Sequence, residues 1–189
     1  ADGRTVAISA ERNGGNGIDS GHVRIYSWDG ATWNQLGEDI DGEAAGDRSG
    51  TSISLSADGH TISIGAYWND GNGENAGHVR IYSWDGLEWN QMGVDIDAEG
   101  PWDRFGQSVS LSSNGRMVAI GEPYGDSNGL DSGCVRVYSW SGSAWTQFGL
   151  ELYGETAGDQ LGTDVSLSAD GQTVVMGAPL NDGNGNDSG

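Results

Sequence analysis

The sequence predicts an all-β chain of repeated four-stranded units, and three observations carry that prediction. The first is a fixed period. Gly21-His22-Val23-Arg24-Ile25-Tyr26-Ser27-Trp28 recurs as Gly77-His78-Val79-Arg80-Ile81-Tyr82-Ser83-Trp84 and again as Gly133-Cys134-Val135-Arg136-Val137-Tyr138-Ser139-Trp140, with 78 − 22 = 134 − 78 = 56. A constant spacing of this size marks a repeat architecture. The second is alternation of apolar and polar residues over short runs, with no useful length of helical spacing. The third is a set of tight-turn dipeptides in register, Asp58-Gly59, Asn114-Gly115 and Asp170-Gly171, which join neighbouring strands as hairpins.

In the middle unit, Thr61 to Gly65 alternates as a first strand, and Asn69 to Ala76 is an Asn/Asp/Gly-rich loop suited to sharp reversals. Val79 and Ile81 then share one face of a second strand, with Arg80, Tyr82 and Trp84 on the other. Asp85-Gly86 turns the chain into a third strand over about Glu88 to Val94. An acidic loop from Asp95 to Asp103 leads to a fourth strand, Gln107 to Ser112. On this register the repeats occupy 1–57, 58–113 and 114–169, and 170–189 begins a fourth.

Four antiparallel strands per 56-residue repeat describe the blade of a β-propeller. Stacked blades bury both faces of each sheet, so bulky Ile53 and Leu55 need small neighbours such as Ser52, Ser54 and Ser56. Tyr26, Trp28, Trp33 and their counterparts suit the wedges that open where blades splay from the axis. Three blades and part of a fourth do not close a ring, because propellers use four to eight. Further blades are therefore expected from the same parent chain or from another copy.

Composition narrows the function. Acidic residues number 28 against 8 basic ones, a net charge of −20, and all the basic residues are Arg. Tracking phosphates needs a basic surface, so nucleic acid is excluded as a partner. No apolar run is long enough for membrane insertion. High negative charge fits cation-rich surroundings outside the cell or at its surface. The single Cys134 leaves no disulfide framework.

Phe105-Gly106, followed by Val109-Ser110-Leu111-Ser112, a hairpin and Gly121-Glu122-Pro123, resembles the FG-GAP repeat of integrin α-subunit propellers and of secreted microbial proteins. Leu161-Gly162 and Gly177-Ala178-Pro179 repeat the pattern. That resemblance implies an extracellular adhesion or structural-assembly module without enzymatic activity, meeting a protein or glycan. Many such repeats bind calcium between the Phe-Gly and Gly-Ala-Pro strands. Here that link is only a short turn such as Ser112-Ser113-Asn114-Gly115, too small to wrap an ion that takes six to eight oxygens.

A different loop places oxygen side chains at alternate positions around glycines. Asp70, Asn72 and Asn75, then Asp126, Asn128 and Asp131, then Asp182, Asn184 and Asp187 are the candidate calcium ligands, against a plain reading as Asx-rich turns. The acidic loops recur in every unit, which argues for turn capping by Asp47 and Asp103 over glycosidase-type catalysis, since a catalytic centre is singular. His22, His78 and Cys134 share one register, too far apart between blades to share zinc and expected at half-exposed strand starts. Arg24, Arg80 and Arg136 are expected to stack on aromatic rings or to bridge to a neighbouring blade's carboxylate. Trp68 and Trp102 break the repeat and are the candidate ligand-stacking residues. They motivate the alternative of a carbohydrate-binding propeller; a secreted hydrolase is the third reading.

Overall fold

The computed structural model describes residues 3–183, 185 and 187–189. The described residues form 16 strands and no helix. The first sheet holds β1 (Thr5–Ala10), β2 (His22–Trp28), β3 (Trp33–Gln35) and β4 (Ile40–Asp41). In the second are β5 (Ser52–Leu55), β6 (Thr61–Ala66), β7 (His78–Trp84), β8 (Trp89–Gln91) and β9 (Ile96–Asp97). A third repeats it with β10 (Ser108–Leu111), β11 (Met117–Glu122), β12 (Cys134–Trp140), β13 (Trp145–Gln147) and β14 (Leu152–Tyr153). A final pair is β15 (Asp164–Leu167) and β16 (Val174–Gly177). Every strand pairing is antiparallel, as in the blades of a propeller, and the sheets do not close into a ring.

Two details differ from the sequence expectation. The strand around Ser108 to Leu111 pairs with β11 of the following sheet instead of completing its own unit. The second, third and last sheets therefore begin before their Asp-Gly or Asn-Gly turns, and the second runs from Ser52 to Asp97 across the repeat register of 58–113. The hairpin is the reason: the short turn closed by Ser56 N–H on the Thr61 carbonyl at 2.8 Å can only join strands that lie side by side. The outer strand expected over Glu88 to Val94 is also interrupted. Trp89–Gln91 and Ile96–Asp97 both pair β7 on the same edge, separated by a short excursion.

Sheets stack through their inner strands, with β10 against β5 and β6, and β15 against β10 and β11. Between the first and second sheets, Val23, Ile25 and Ile40 meet Ile62, Ile64 and Tyr82. Between the second and third, Val79, Ile81 and Phe105 meet Val109, Leu111, Val118 and Ile120. Tyr82 and Trp89 pack toward the preceding sheet, as expected for wedge-filling rings. Trp89 Nε1 donates to the carbonyl of Leu36 at 2.9 Å, and Trp145 Nε1 repeats the contact on Met92 at 2.8 Å. The serines of β5 are more than small. Ser52 donates to the Gly106 carbonyl at 2.7 Å, and Ser54 accepts the N–H of Leu111 at 2.9 Å, both across the sheet junction.

The junctions also explain the glycines. A Cβ on Gly65 would collide with the carbonyl oxygen of Gly106, and one on Gly121 with that of Gly162. Gly106 has φ of +84° while its N–H holds Gly121 at 3.1 Å, so that one residue opens its own sheet and wedges its carbonyl against the previous one. Replacing Gly121 with Ala is therefore expected to destabilise the fold by about 1–3 kcal/mol or more, the range for overpacking. Gly86 at φ +103° has open space around it, and Gly86→Ala bears only backbone strain. Urea unfolding of the two variants checks this: a smaller loss for Gly121→Ala than for Gly86→Ala contradicts it.

Candidate functional site

The register shared by the two histidines and Cys134 opens the long strand of each sheet. The structure buries all three, with His22 at 6%, His78 at 2% and Cys134 at 0% exposure, where half-exposed strand starts were expected. They are covered because the following acidic loop folds back on the strand. His22 Nδ1 lies 3.5 Å from Asp39 Oδ2, and His78 Nδ1 lies 3.5 Å from Asp95 Oδ2 and 4.0 Å from Glu43 of the preceding sheet. Burial and the neighbouring Arg80 push His78 down to about 4, so it is neutral at pH 7.

His22, Asp39 and Asp41 form one set of atoms close enough to hold a divalent cation, and Glu43, His78 and Asp95 form another. In both, an arginine supplies the positive charge. Arg24 grips Asp39 through Nε at 2.9 Å and Nη2 at 2.8 Å, which holds that carboxylate down at about 2. Arg80 Nη1 lies 3.5 Å from Glu43, and its Nη2 donates to the Asp41 carbonyl at 2.8 Å. Arg80 and Arg136 thus bridge to the preceding sheet while lying over Tyr82 and Phe105, at 5.7 and 5.8 Å from the ring centroids. Stacking and bridging, set out as alternatives from sequence, occur together.

The Asx loops meet hydrogen-bonding needs of their own. Asp70 Oδ1 accepts the N–H of Asn75 at 2.8 Å, Asp126 Oδ1 that of Asp131 at 2.9 Å, and Asp182 Oδ1 that of Asp187 at 2.7 Å. Asn72 donates to the Ala98 carbonyl at 2.6 Å, and Asn128 to the carbonyl of Gly154 at 2.8 Å, tying each loop to the next one along. Asn184 lies outside the described residues. Asp47, Asp103 and Asp159 each cap a turn, accepting the N–H three residues earlier at 2.9 Å.

Trp68 and Trp102 are not brought together as one exposed platform. Trp102 is 50% exposed with φ of +70°. Trp68 is half-buried, with the guanidinium of Arg48 at 4.7 Å and that of Arg104 at 5.4 Å from its ring. Sequence reasoning placed an aromatic here but missed the cations that cover it.

It also missed a buried polar cluster between the second and third sheets. Three positions depart from the repeat in the same unit: Ala66 becomes Glu122, Asn69 becomes Gly125 and His78 becomes Cys134. Comparing repeat columns could have flagged them as a set. In the other units an asparagine amide donates to the capping aspartate, Asn69 to Asp47 and Asn181 to Asp159, each at 3.1 Å. Here Gly125 has no amide, and Glu122 lies over it and hydrogen-bonds Asp103 instead. Two carboxyl groups in contact need a proton between them. Burial, with Asp103 beside it, raises Glu122 to about 8 although Arg136 Nη1 lies 3.2 Å away. The Cys134 thiol donates to Glu122 Oε2 at 3.1 Å, and burial pushes it far above the usual thiol range, which disfavours the thiolate. Arg136 completes the cluster with Glu151 at 2.6 Å and Glu99 at 3.5 Å.

The FG-GAP repeat matches this chain at residues 40–82 and 97–138. Among curated proteins none matches it. Solved structures share its fold. A putative 6-phosphogluconolactonase from Bacteroides uniformis aligns at a TM-score of 0.53 and 14% identity, over 84% of this chain and 41% of its own. The periplasmic gluconolactonase PpgL of Pseudomonas aeruginosa aligns at 0.54 and 17%, over 96% and 49%, and U3-55K at 0.54 and 14%, over 98% and 46%. The chain spans less than half the length of each.

Glu122 fixes a pH dependence. Its value in the folded protein lies above that of a free carboxylate, so its contribution is fully present below about 4.5 and is lost as pH rises through about 8. Glu122→Gln keeps a donor for Asp103 and cannot ionise. Its stability relative to the parent is expected to rise between these limits, on the order of a few kcal/mol, measured by urea unfolding from pH 5 to 9. A constant difference across that range contradicts the assignment.

Proposed function

We propose that this chain, which carries FG-GAP repeats in a propeller-like stack, is a non-enzymatic structural-assembly or adhesion module working outside the cell or at its surface. One observation supports this most. The contacts that join sheets recur every 56 residues, so each sheet presents the same kind of face to the next. Trp84 and Trp89 pack on Gly37, and Trp140 and Trp145 on Gly93. The equivalent Gly149 faces open space, beside Phe148 at 53% and Leu150 at 90% exposure. At the other end Trp33, the counterpart of Trp89 and Trp145, is 47% exposed. Such a pair of faces suits another sheet of the same kind, from the parent chain or from a second copy.

The acidic residues fit this reading. They recur as turn caps and as Arg partners in each unit, where a hydrolase needs one asymmetric constellation. Calcium enters the proposal as a counter-ion to the acidic surface and not as a caged ion, because the Asx loops already use their oxygens and amides to hold one another.

Sedimentation velocity over a range of concentrations tests the assembly reading. The chain is expected to self-associate, and Trp33→Ala with Gly149→Glu to weaken that association at least tenfold; a monomer at all concentrations overturns assembly through a second copy. Calcium chloride is expected to raise the melting temperature no more than sodium chloride of equal ionic strength, since both act by screening. Gluconolactone is expected to hydrolyse no faster with the protein than without it, and a protein-dependent rate overturns the non-enzymatic reading.

A further inference from the structure

Arg48 and Arg104 stand apart from the other charged groups. In a chain with 28 acidic residues, neither guanidinium has an ion pair or a hydrogen bond among the described residues. Both lie instead on aromatic faces. Arg48 is 4.7 Å from the Trp68 ring, and Arg104 is 4.3 Å from Tyr124, 5.4 Å from Trp68 and 5.9 Å from Tyr67. Stacking fixes the plane of a guanidinium and leaves its edge N–H groups unused.

Arg48 and Arg104 have φ of 53° and 56°, a left-handed turn that Gln160 shares at 55° and that therefore belongs to the repeat. The aspartates just before them, Asp47 and Asp103, turn inward to cap loops and do not neutralise them. The contact of Arg48 with Trp68 recurs one repeat later as Arg104 on Tyr124, and the series is confined to these two units. The columns of Tyr67 and Trp68 read Glu11 and Arg12 in the first unit and Pro179 and Leu180 in the last, and the column of the two arginines ends in Gln160. Trp68 Nε1 is a further donor, buried without a partner.

We propose that Arg48 and Arg104, held flat by Trp68, Tyr67 and Tyr124, form a binding site for the carboxylate or sulfate group of an acidic saccharide. Both arginines lie within 5.4 Å of one indole ring, and the planar edge of a guanidinium matches a carboxylate or a sulfate bidentately. Elsewhere the surface is strongly acidic and repels such ligands, so binding is confined to this spot. This goes beyond the assembly reading and does not depend on it.

Isothermal titration at about 0.15 M salt, where charges beyond about 8 Å are screened, tests the site with three probes of equal length: an oligogalacturonate, a sulfated oligosaccharide and a neutral oligosaccharide. The parent chain is expected to bind at least one acidic probe and not the neutral one. Arg48→Gln with Arg104→Gln is expected to weaken that binding at least tenfold, and Trp68→Leu to weaken it also. Arg116→Gln with Arg12→Gln removes the same two charges at exposed positions and is expected to change affinity less than twofold. Thermal melts of each variant establish that it is folded. The proposal is overturned if no acidic probe binds at millimolar concentration, if Arg116→Gln with Arg12→Gln weakens binding as much, or if an oligoglutamate peptide binds more tightly than both saccharides. Self-association that survives in the Arg48/Arg104 variant leaves the assembly reading intact whatever the fate of this site.

Discussion

Two of the three junctions between sheets depend on one close approach, in which the carbonyl of the glycine that opens a sheet presses against a glycine of the sheet before it; at the first junction Gly50 faces Ser9 instead. Gly106 meets Gly65, and Gly162 meets Gly121, with Ser52 and Ser108 donating to the same carbonyls at 2.7 and 2.8 Å. That contact sets the spacing of the sheets, and the apolar layers between them follow from it. Val79, Phe105 and Ile120 are fully buried because the backbones are brought near enough for side chains from both sheets to interlock. Any side chain at Gly65 or Gly121 would push the sheets apart.

The polar groups at the same junctions follow a second rule, that a buried charge must be matched. Two solutions alternate along the chain. At the first junction His78, Asp95, Glu43 and Arg80 combine a neutral imidazole with an arginine bridging two sheets. At the second, Glu122, Cys134 and Gly125 replace Ala, His and Asn together, and a proton between Glu122 and Asp103 does what an asparagine amide does elsewhere. A change in any one of these three alone would leave a void or an unpaired carboxylate. The cluster is therefore best understood as a variation in packing, even though a buried acid, thiol and arginine first suggest chemistry.

Functional capacity lies where the repeat is broken at the surface or interrupted at an end. Trp68 was legible in the sequence as a departure from the repeat, but its meaning was not. The sequence suggested an exposed ring for stacking, and the fold covers that ring with Arg48 and Arg104, which lie twenty residues before it and thirty-six after it. Only the stacking of sheets brings those three side chains together. The Asx loops show the reverse case. Their spacing reads as ligand-like in one dimension, while in three dimensions Asn72 and Asn128 reach the next loop and bind its carbonyls.

The sequence alone determined the all-β class, the 56-residue period, the hairpins and the alternation of faces, because each rests on local rules of backbone twist, turn chemistry and side-chain parity. It also determined which rings and arginines share a face. Tertiary structure decided which sheet each strand joins, because Ser108–Leu111 can pair only with the partner its tight turn delivers. It decided which charges are buried, since His78 and Glu122 are enclosed by residues from a neighbouring sheet. Non-local contacts of that kind follow from no local rule of the chain, and they alone turn a repeated strand motif into distinct junctions.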